Sequence, residues 1–206
     1  MRLLIARHAE TVYNAAARMQ GQMGHTPLTR TGIAQAEAMG AALAALIDPA
    51  APLDLWSSPS GRTLQTAGIV AEHLGRDYFD IRTDPRLLEI DVGAWQGRLY
   101  SDIVAEQGEI LDRQRRLFTV TAPGGETYVA IAARLEAWLD ALDPHRDILL
   151  ISHGQTLRVL RGLLAGGEPF RETVVAADAP QGTIFMIEGG RQHIVHEGQG
   201  HRPTAA

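Results

Sequence analysis

The sequence has no cysteine among its 206 residues, which excludes disulfides, thiolate metal sites and a cysteine nucleophile together. It lacks a basic excess: 19 lysines and arginines face 24 aspartates and glutamates, a formal charge of −5. That balance argues against a dedicated nucleic-acid binder, which would carry a basic surface. No apolar stretch is long enough to span a bilayer, because the Ala-rich run from Ala34 to Ile47 is interrupted by Gln35, Glu37 and Gly40. Low-complexity tracts, internal repeats and dividing linkers are also missing. The start, Met1 to Glu10, is a short apolar run ending in Arg-His and does not read as a signal peptide. These absences predict a cytoplasmic protein of one domain over 1–206, not bound to membrane or nucleic acid.

What is present is an alternation of short apolar runs with stretches of helical period. Leu3 to Ala6 reads as a strand buried on both faces. Thr29 to Ile47 reads as a helix, with Ile33, Ala36, Leu43 and Leu46 at helical spacing and Thr29 or Thr31 as its cap. Leu53 to Ser57 is a second strand, Ser60 to Leu74 a second helix, and Phe79 to Arg82 a further strand. A helix lies within Gly124 to Leu142, with Ile131, Leu135, Trp138 and Leu142 on one stripe. Asp147 to Ser152 is the clearest buried strand, and Gly154 to Leu164 follows it as a helix. Thr183 to Glu188 and Gln192 to His196 form a closing hairpin, and His201 to Ala206 a loose tail. The pattern predicts an α/β three-layer sandwich with a mostly parallel central sheet and helices on both faces.

Two strands run straight into a histidine: Arg7-His8 follows the first, and Ser152-His153-Gly154 follows the buried strand near the carboxyl end. Open α/β sheets bind ligands at that edge, so the two rings face one pocket. Alone, either histidine would more often be structural. A third strand leads into Ser58-Pro59-Ser60-Gly61-Arg62, which puts Arg62 at a helix start, where backbone N–H groups favour an anion. Arg62 alone would read as a solvated helix-face residue.

Five segments then match one family in order. Arg7-His8-Ala9-Glu10-Thr11 with Asn14, Ser57-Ser58-Pro59 with Arg62 and Gln65-Thr66-Ala67, Leu88-Glu89 with Gly93 and Trp95-Gln96-Gly97, Pro123 to Thr127, and Ser152-His153-Gly154 resemble the signatures of the histidine phosphatase (phosphoglycerate mutase-like) superfamily, branch 1. The resemblance implies His8 as the nucleophile that becomes a phosphohistidine. It implies that Arg7, Arg62 and His153 bind phosphoryl oxygens with help from Asn14, Gln20 and Gly154, and that Glu89 moves the proton. Spacing alone leaves Asp84 and Asp91 open beside Glu89; the family pattern selects Glu89.

The chemistry is coherent without the family. Phosphoryl transfer spreads charge over the equatorial oxygens, so fixed guanidinium and imidazole donors carry most of the catalysis. An attacking His8 must be neutral, with its other ring nitrogen donating to a carbonyl or similar acceptor. A phosphate dianion next to His153 favours its protonated form.

The implied function is a phosphatase acting on a small phosphorylated metabolite such as a sugar phosphate, a phosphoglycerate or α-ribazole phosphate, with no cofactor and no metal. A cofactor-dependent phosphoglycerate mutase, using 2,3-bisphosphoglycerate, is the alternative. Glu89-Ile90-Asp91-Val92-Gly93 stands where mutases carry E-R-H-Y-G, which favours the phosphatase. Arg115-Arg116 before Phe118 to Pro123 resembles the mutase segment whose arginines hold a substrate carboxylate, which favours the mutase, unless these arginines are a solvated cluster. A metal hydrolase using His8, His153, Glu89 and His25 is disfavoured because adjacent arginines repel a cation. A non-catalytic phospho-ligand binder is disfavoured because every matched catalytic position is filled. Two departures stand out: Ala9 replaces the usual glycine, and one additional residue precedes Pro27, with His25 where aspartate is common. Residues 98–122 are expected to form a lid insertion, and a monomer or homodimer fits equally.

Overall fold

The computed structural model describes residues 1–198, so the expected tail from His201 lies outside the described residues. Its centre is a six-stranded sheet. Strand β1 (Leu3–Arg7) pairs in parallel with β6 (Asp147–Ser152), from Leu3 opposite Ile148 to Arg7 opposite Ser152. Strand β2 (Leu53–Ser57) flanks β6 on the other side, also in parallel, with Ser57 opposite Ile151. The two-residue β3 (Arg82–Thr83) extends that edge. On the far edge β9 (Ile184–Glu188) runs antiparallel to β1 and pairs with β10 (Arg191–His196), the expected hairpin. The order is therefore β10-β9-β1-β6-β2-β3, mostly parallel as the alternation predicted.

Successive strand residues point to opposite faces, so a strand buried on both sides must be apolar throughout. Leu3, Ile5, Ile148 and Leu150 join Ile131, Leu135 and Trp138 of α5 (Tyr128–Leu139) and Leu157 and Leu160 of α6 (Gly154–Ala165). Leu4, Ala6, Leu55, Leu149 and Ile151 face Met39 and Leu43 of α2 (Arg30–Leu46) and Ala67, Val70 and Ala71 of α3 (Gly61–His73). Each fully buried aliphatic side chain contributes about 1.5–3 kcal/mol relative to exposure, and two such layers clamp the sheet. No helix among the described residues is long and apolar enough to cross a membrane.

Two expectations need correction. The buried face of α2 is Gly32, Ala36, Met39, Gly40 and Leu43, while Ile33 and Leu46 stay exposed. Close approach sets this register: a Cβ on Gly32 would lie 2.0 Å from the Glu10 carbonyl oxygen, and one on Gly40 2.5 Å from the His73 ring. Glycine at these positions lets α2 approach where a larger apolar residue could not. Thr29, not Thr31, caps the helix by accepting from the Gly32 N–H. The strand expected from Phe79 to Arg82 is instead a 3-10 turn at Tyr78–Asp80, closed by the Asp77 carboxylate accepting from the Phe79 N–H, with pairing beginning only at Arg82.

Residues 98–122 hold a helix, α4 (Tyr100–Gln107), and a short ladder of β4 (Leu111–Asp112) with β5 (Leu117–Phe118). A second small hairpin pairs β7 (Glu168–Phe170) with β8 (Thr173–Val175) after α6. Its two tip residues, Arg171 and Glu172, both have positive φ.

Gly32→Ala should cost about 1–3 kcal/mol, because its methyl must displace the chain that follows His8. Urea unfolding of the variant checks this, and an unchanged midpoint would show that α2 can slide away without loss.

Candidate active site

The parallel register delivers the site. With β6 between β1 and β2, the chain leaves three neighbouring strands at Arg7, Ser152 and Ser57, and the next residues are His8, His153 and Ser58. The ring centroids of His8 and His153 lie 5.3 Å apart, edge to face. Both rings are buried.

His8 is held by backbone and side chain alike. Its N–H donates to the Ser152 carbonyl at 2.9 Å, and its carbonyl accepts from Gln181 Nε2 at 2.8 Å. Ring Nδ1 lies 2.7 Å from the Ala9 carbonyl, which can only accept, so Nδ1 carries the proton and Nε2 keeps its lone pair. Burial first, then the charges of Arg62 and Arg7, push the His8 pKa well below the ordinary histidine value. The ring is therefore neutral at neutral pH, with the Nε2 lone pair uncommitted. Ala9 is fully buried and its N–H donates to Thr66 Oγ1 at 3.1 Å, so the turn accommodates its Cβ.

Arg62 is sealed beneath the pocket. Nε donates to His153 Nδ1 at 3.2 Å, NH1 to the Met23 carbonyl at 2.9 Å and Thr26 Oγ1 at 3.2 Å, and NH2 to the Gly21 carbonyl at 2.7 Å. A guanidinium has five N–H donors, so one NH2 hydrogen is left for a ligand. Burial lowers the Arg62 pKa to about 10, which still leaves it charged at neutral pH. Arg7 is the opposite case: its Nε is buried without a hydrogen-bond partner. An unpaired donor of that kind costs about 1–3 kcal/mol or more, and an anion would satisfy it. Gly154 lets Arg7 lie flat, since a Cβ there would sit 3.3 Å from the guanidinium carbon.

His153 is more engaged than a free phosphate ligand would be. Nδ1 accepts from Arg62, so the proton sits on Nε2, 2.7 Å from Ser58 Oγ. Burial and the same arginines hold its pKa well below the ordinary value. A phosphoryl oxygen would take the Nε2 proton from Ser58 rather than meet an idle donor.

Among the three carboxylates that spacing left open, Asp84 is bound by Arg86 at 2.6–3.1 Å and Asp91 caps the Gly93 N–H at 2.8 Å. Glu89 is seated on the amino end of α6: Oε1 accepts from the Thr156 N–H at 3.1 Å and Oε2 from the Gln155 N–H at 3.2 Å. Its charge acts on both Arg7 and Arg62. All three carboxylates are hydrogen-bonded; of the three, Glu89 is the one whose charge reaches both Arg7 and Arg62.

Residues 3–198 match the model of the histidine phosphatase superfamily, branch 1. The chain belongs to that superfamily. It is 34% identical over 179 residues to a Proteus mirabilis protein named "Probable phosphoglycerate mutase GpmB", covering 84% of this chain and 78% of that one. Its fold matches a mycobacterial glucosyl-3-phosphoglycerate phosphatase with a TM-score of 0.75, at 29% identity over 97% of this chain and 99% of that chain. It also matches the α-ribazole phosphatase of Shigella flexneri, with a TM-score of 0.70, 26% identity and 94% of both chains covered.

In this histidine phosphatase superfamily member, Asn14 and Gln20 converge on Thr11. Asn14 Oδ1 accepts from the Thr11 N–H at 3.1 Å, and Gln20 Oε1 lies 2.9 Å from Thr11 Oγ1. With both amide oxygens so directed, the NH2 groups are the donors each can offer a ligand. Arg115 and Arg116 part company. Arg115 pairs with Glu168 at 3.4 Å and lines one cavity, while Arg116 pairs with Asp178 at 3.3 Å and lines another beside Asn14. His25 is exposed in the chain segment whose neighbours Met23 and Thr26 bind Arg62. The sequence reading missed Gln181, which no motif marks because it lies in a loop 173 residues from its partner. It also passed over Ser58 and Thr66, which sit inside a quoted motif but show their partners only in three dimensions.

The two depressed histidines set a pH dependence. Both rings are neutral in folded and unfolded chains above about pH 6.5; below it the unfolded chain binds protons that the folded chain refuses. Stability should therefore fall below pH 6.5, by up to about 1.4 kcal/mol per histidine per pH unit. Urea midpoints at pH 7.5 and 5.5 test it; an equal drop in a His8→Asn, His153→Asn double variant would assign the effect to other groups. Separately, Gln181→Leu removes the donor on the His8 carbonyl and should lower kcat about 10–100-fold with little change in KM, measured by steady-state kinetics.

Proposed function

We propose that this chain is a phosphomonoester phosphatase working through a phosphohistidine. The observation that carries the reading is the His8 tautomer, which leaves Nε2 as a lone-pair nucleophile beside an unpartnered buried Arg7 donor. His8 Nε2 attacks phosphorus as the bond to the substrate's alcohol oxygen breaks, and Glu89 gives that oxygen its proton. The negative oxygens lie against Arg7, the open Arg62 donor and the amides of Asn14 and Gln20. Water then attacks the phosphohistidine while Glu89 recovers a proton, and inorganic phosphate leaves. A developing dianion favours a protonated His153, and Ser58 is the partner it exchanges for a phosphoryl oxygen.

No cofactor enters this scheme. The mutase reading, in which a second hydroxyl replaces water and 2,3-bisphosphoglycerate primes the enzyme, is favoured by the 34% identity to the Proteus mirabilis protein. Against it, Arg115 and Arg116 diverge into separate cavities with separate carboxylate partners, so they do not form a joint clamp for a substrate carboxylate.

The protein should release phosphate from a panel of phosphomonoesters in the presence of a chelator, and His8→Ala should lose both turnover and the acid-labile phosphoenzyme. Isomerisation of 3-phosphoglycerate stimulated by 2,3-bisphosphoglycerate would move the assignment to the mutase, and activity retained in His8→Ala would overturn both.

A further inference from the structure

Arg134, in the middle of α5, commits its guanidinium to the surroundings of one short stretch of chain. Its Nε donates to Glu126 Oε1 at 2.8 Å and its NH2 to Glu126 Oε2 at 3.1 Å, a two-point ion pair with side-chain exposures of only 16% and 15%. NH1 donates to the Arg86 carbonyl, and NH2 also reaches Thr156 Oγ1 at 3.4 Å. Glu126 Oε2 in turn accepts from the Asp91 N–H at 3.3 Å. The pair thus holds both ends of residues 86–91, the segment that carries Glu89. Residues 88–92 lie in neither helix nor strand, so no ladder of their own fixes them.

We propose that Arg134 and Glu126 are positioning residues for Glu89, clamping the two ends of its segment so that its carboxylate stays seated at the amino end of α6. The inference rests on the proton-transfer role that the phosphatase reading gives to Glu89.

The matched segment Pro123 to Thr127 explains how Glu126 comes to this place. Its N–H donates to the Asp91 carbonyl at 2.8 Å, and the Ala94 N–H donates to the Pro123 carbonyl at 3.0 Å. A Cβ on Gly93 would lie 2.2 Å from the Pro123 carbonyl oxygen, and one on Gly125 2.7 Å from that of Asp91. Two glycines therefore let the two chains touch. Thr127 then caps α5 by accepting from the Ala130 N–H, which fixes Glu126 relative to Arg134.

A buried ion pair alone would be ordinary core structure. Here its remaining donors and acceptor go to the ends of one segment and to Thr156, which itself holds Glu89. The Glu89 carboxylate accepts from the N–H groups of Ile90 at 3.0 Å, Gln155 at 3.2 Å and Thr156 at 3.1 Å, and lies 3.2 Å from the Thr156 hydroxyl. Ser152 Oγ on the Leu87 carbonyl at 2.7 Å and Gln22 Nε2 on the Glu89 carbonyl at 3.2 Å tie the middle of the segment. Arg134 and Glu126 tie its ends. A displacement of about 1 Å at a reacting group costs about 100-fold in rate, so this placement matters to a proton donor.

The test compares kcat/KM for glycerol phosphate, whose alkoxide leaves only with a proton, and para-nitrophenyl phosphate, whose phenolate leaves without one. Since kcat/KM ends at release of the alcohol, the ratio of the two isolates the proton donor. Glu89→Gln should lower the glycerol-to-nitrophenyl ratio about 100-fold and Arg134→Gln about tenfold, and the double variant should fall no further than Glu89→Gln alone. An equal loss on both esters, an unchanged ratio in Arg134→Gln, or an additive drop in the double variant overturns the inference. Arg134→Lys, which keeps the charge but not the planar fork, takes its place should Arg134→Gln not fold.

A second readout needs no turnover. Gln155 and Thr156 lie in the first turn of α6, whose N–H groups have no carbonyl partner within the helix, so their hydrogen exchange reports on the seated carboxylate. Exchange there should quicken about tenfold in Arg134→Gln while that of Leu160 in the same helix stays unchanged. Equal exchange in variant and wild type overturns the inference. If Glu89→Gln leaves the ester ratio unchanged, or the wild type hydrolyses neither ester, the phosphatase reading falls and exchange alone decides the clamp.

Discussion

A guanidinium closed off from water has to place its donors on acceptors, and Arg62 does so by holding the site together. One planar group reaches the carbonyls of Gly21 and Met23, the hydroxyl of Thr26 and the ring of His153. Burying that charge is expensive; the several hydrogen bonds offset the cost, and removing any partner would leave a charged donor unsatisfied. The segment 21–26 has no regular secondary structure that would hold it in place. Its position depends on this side chain and on the Gly61 N–H donating to the Gly24 carbonyl at 2.8 Å. Gln22 adds two further ties, its N–H to Gln96 Oε1 at 3.1 Å and its Nε2 to the Glu89 carbonyl at 3.2 Å, so Arg62 is the buried centre of several anchors.

Burial, and after it the same charge, sets the state of both histidines. Desolvation first, and then Arg62 and Arg7, disfavour a further positive charge, so both rings stay neutral. A phosphate dianion bound there would reverse that balance locally and couple its binding to protonation of the second ring. His8 is insulated from this switch because its Nδ1 proton is committed to the Ala9 carbonyl. Two chemically identical side chains at equivalent strand ends therefore have different roles, set by which acceptor each meets.

Much of this was legible in the sequence for a definite reason. Fully buried parallel strands are apolar on both faces, so β1, β2 and β6 stood out, and the histidines and arginine at their carboxyl ends followed from the rule for open sheets. Failures came where packing outweighed pattern. The face of α2 is chosen by two glycines that allow close approach, which a search for large apolar residues overlooks. The turn at Tyr78–Asp80 is set by an aspartate cap rather than by the apolar residues beside it. Gln181 is invisible to any local reading, since its function is a single hydrogen bond across the sheet edge. Spacing could not separate Asp84, Glu89 and Asp91, because the fold alone shows that Asp84 turns to Arg86, Asp91 to the Gly93 N–H and Glu89 to the amino end of α6.

Net charge was the least informative quantity, and the structure explains why. A chain of charge −5 concentrates Arg7 and Arg62 at one strand edge, where Glu89 acts on both. Asp178, paired with Arg116, supplies a further negative charge that acts on Arg7, Arg158 and Arg161. The two arginines at that edge are thus met by carboxylates from outside it. Around it the arginines are matched by carboxylates, at Arg113 with Glu109 and at Arg115 with Glu168. Charge is thus sorted by position rather than by amount, and a total over the chain averages away the one place where two guanidiniums stand together at a strand edge.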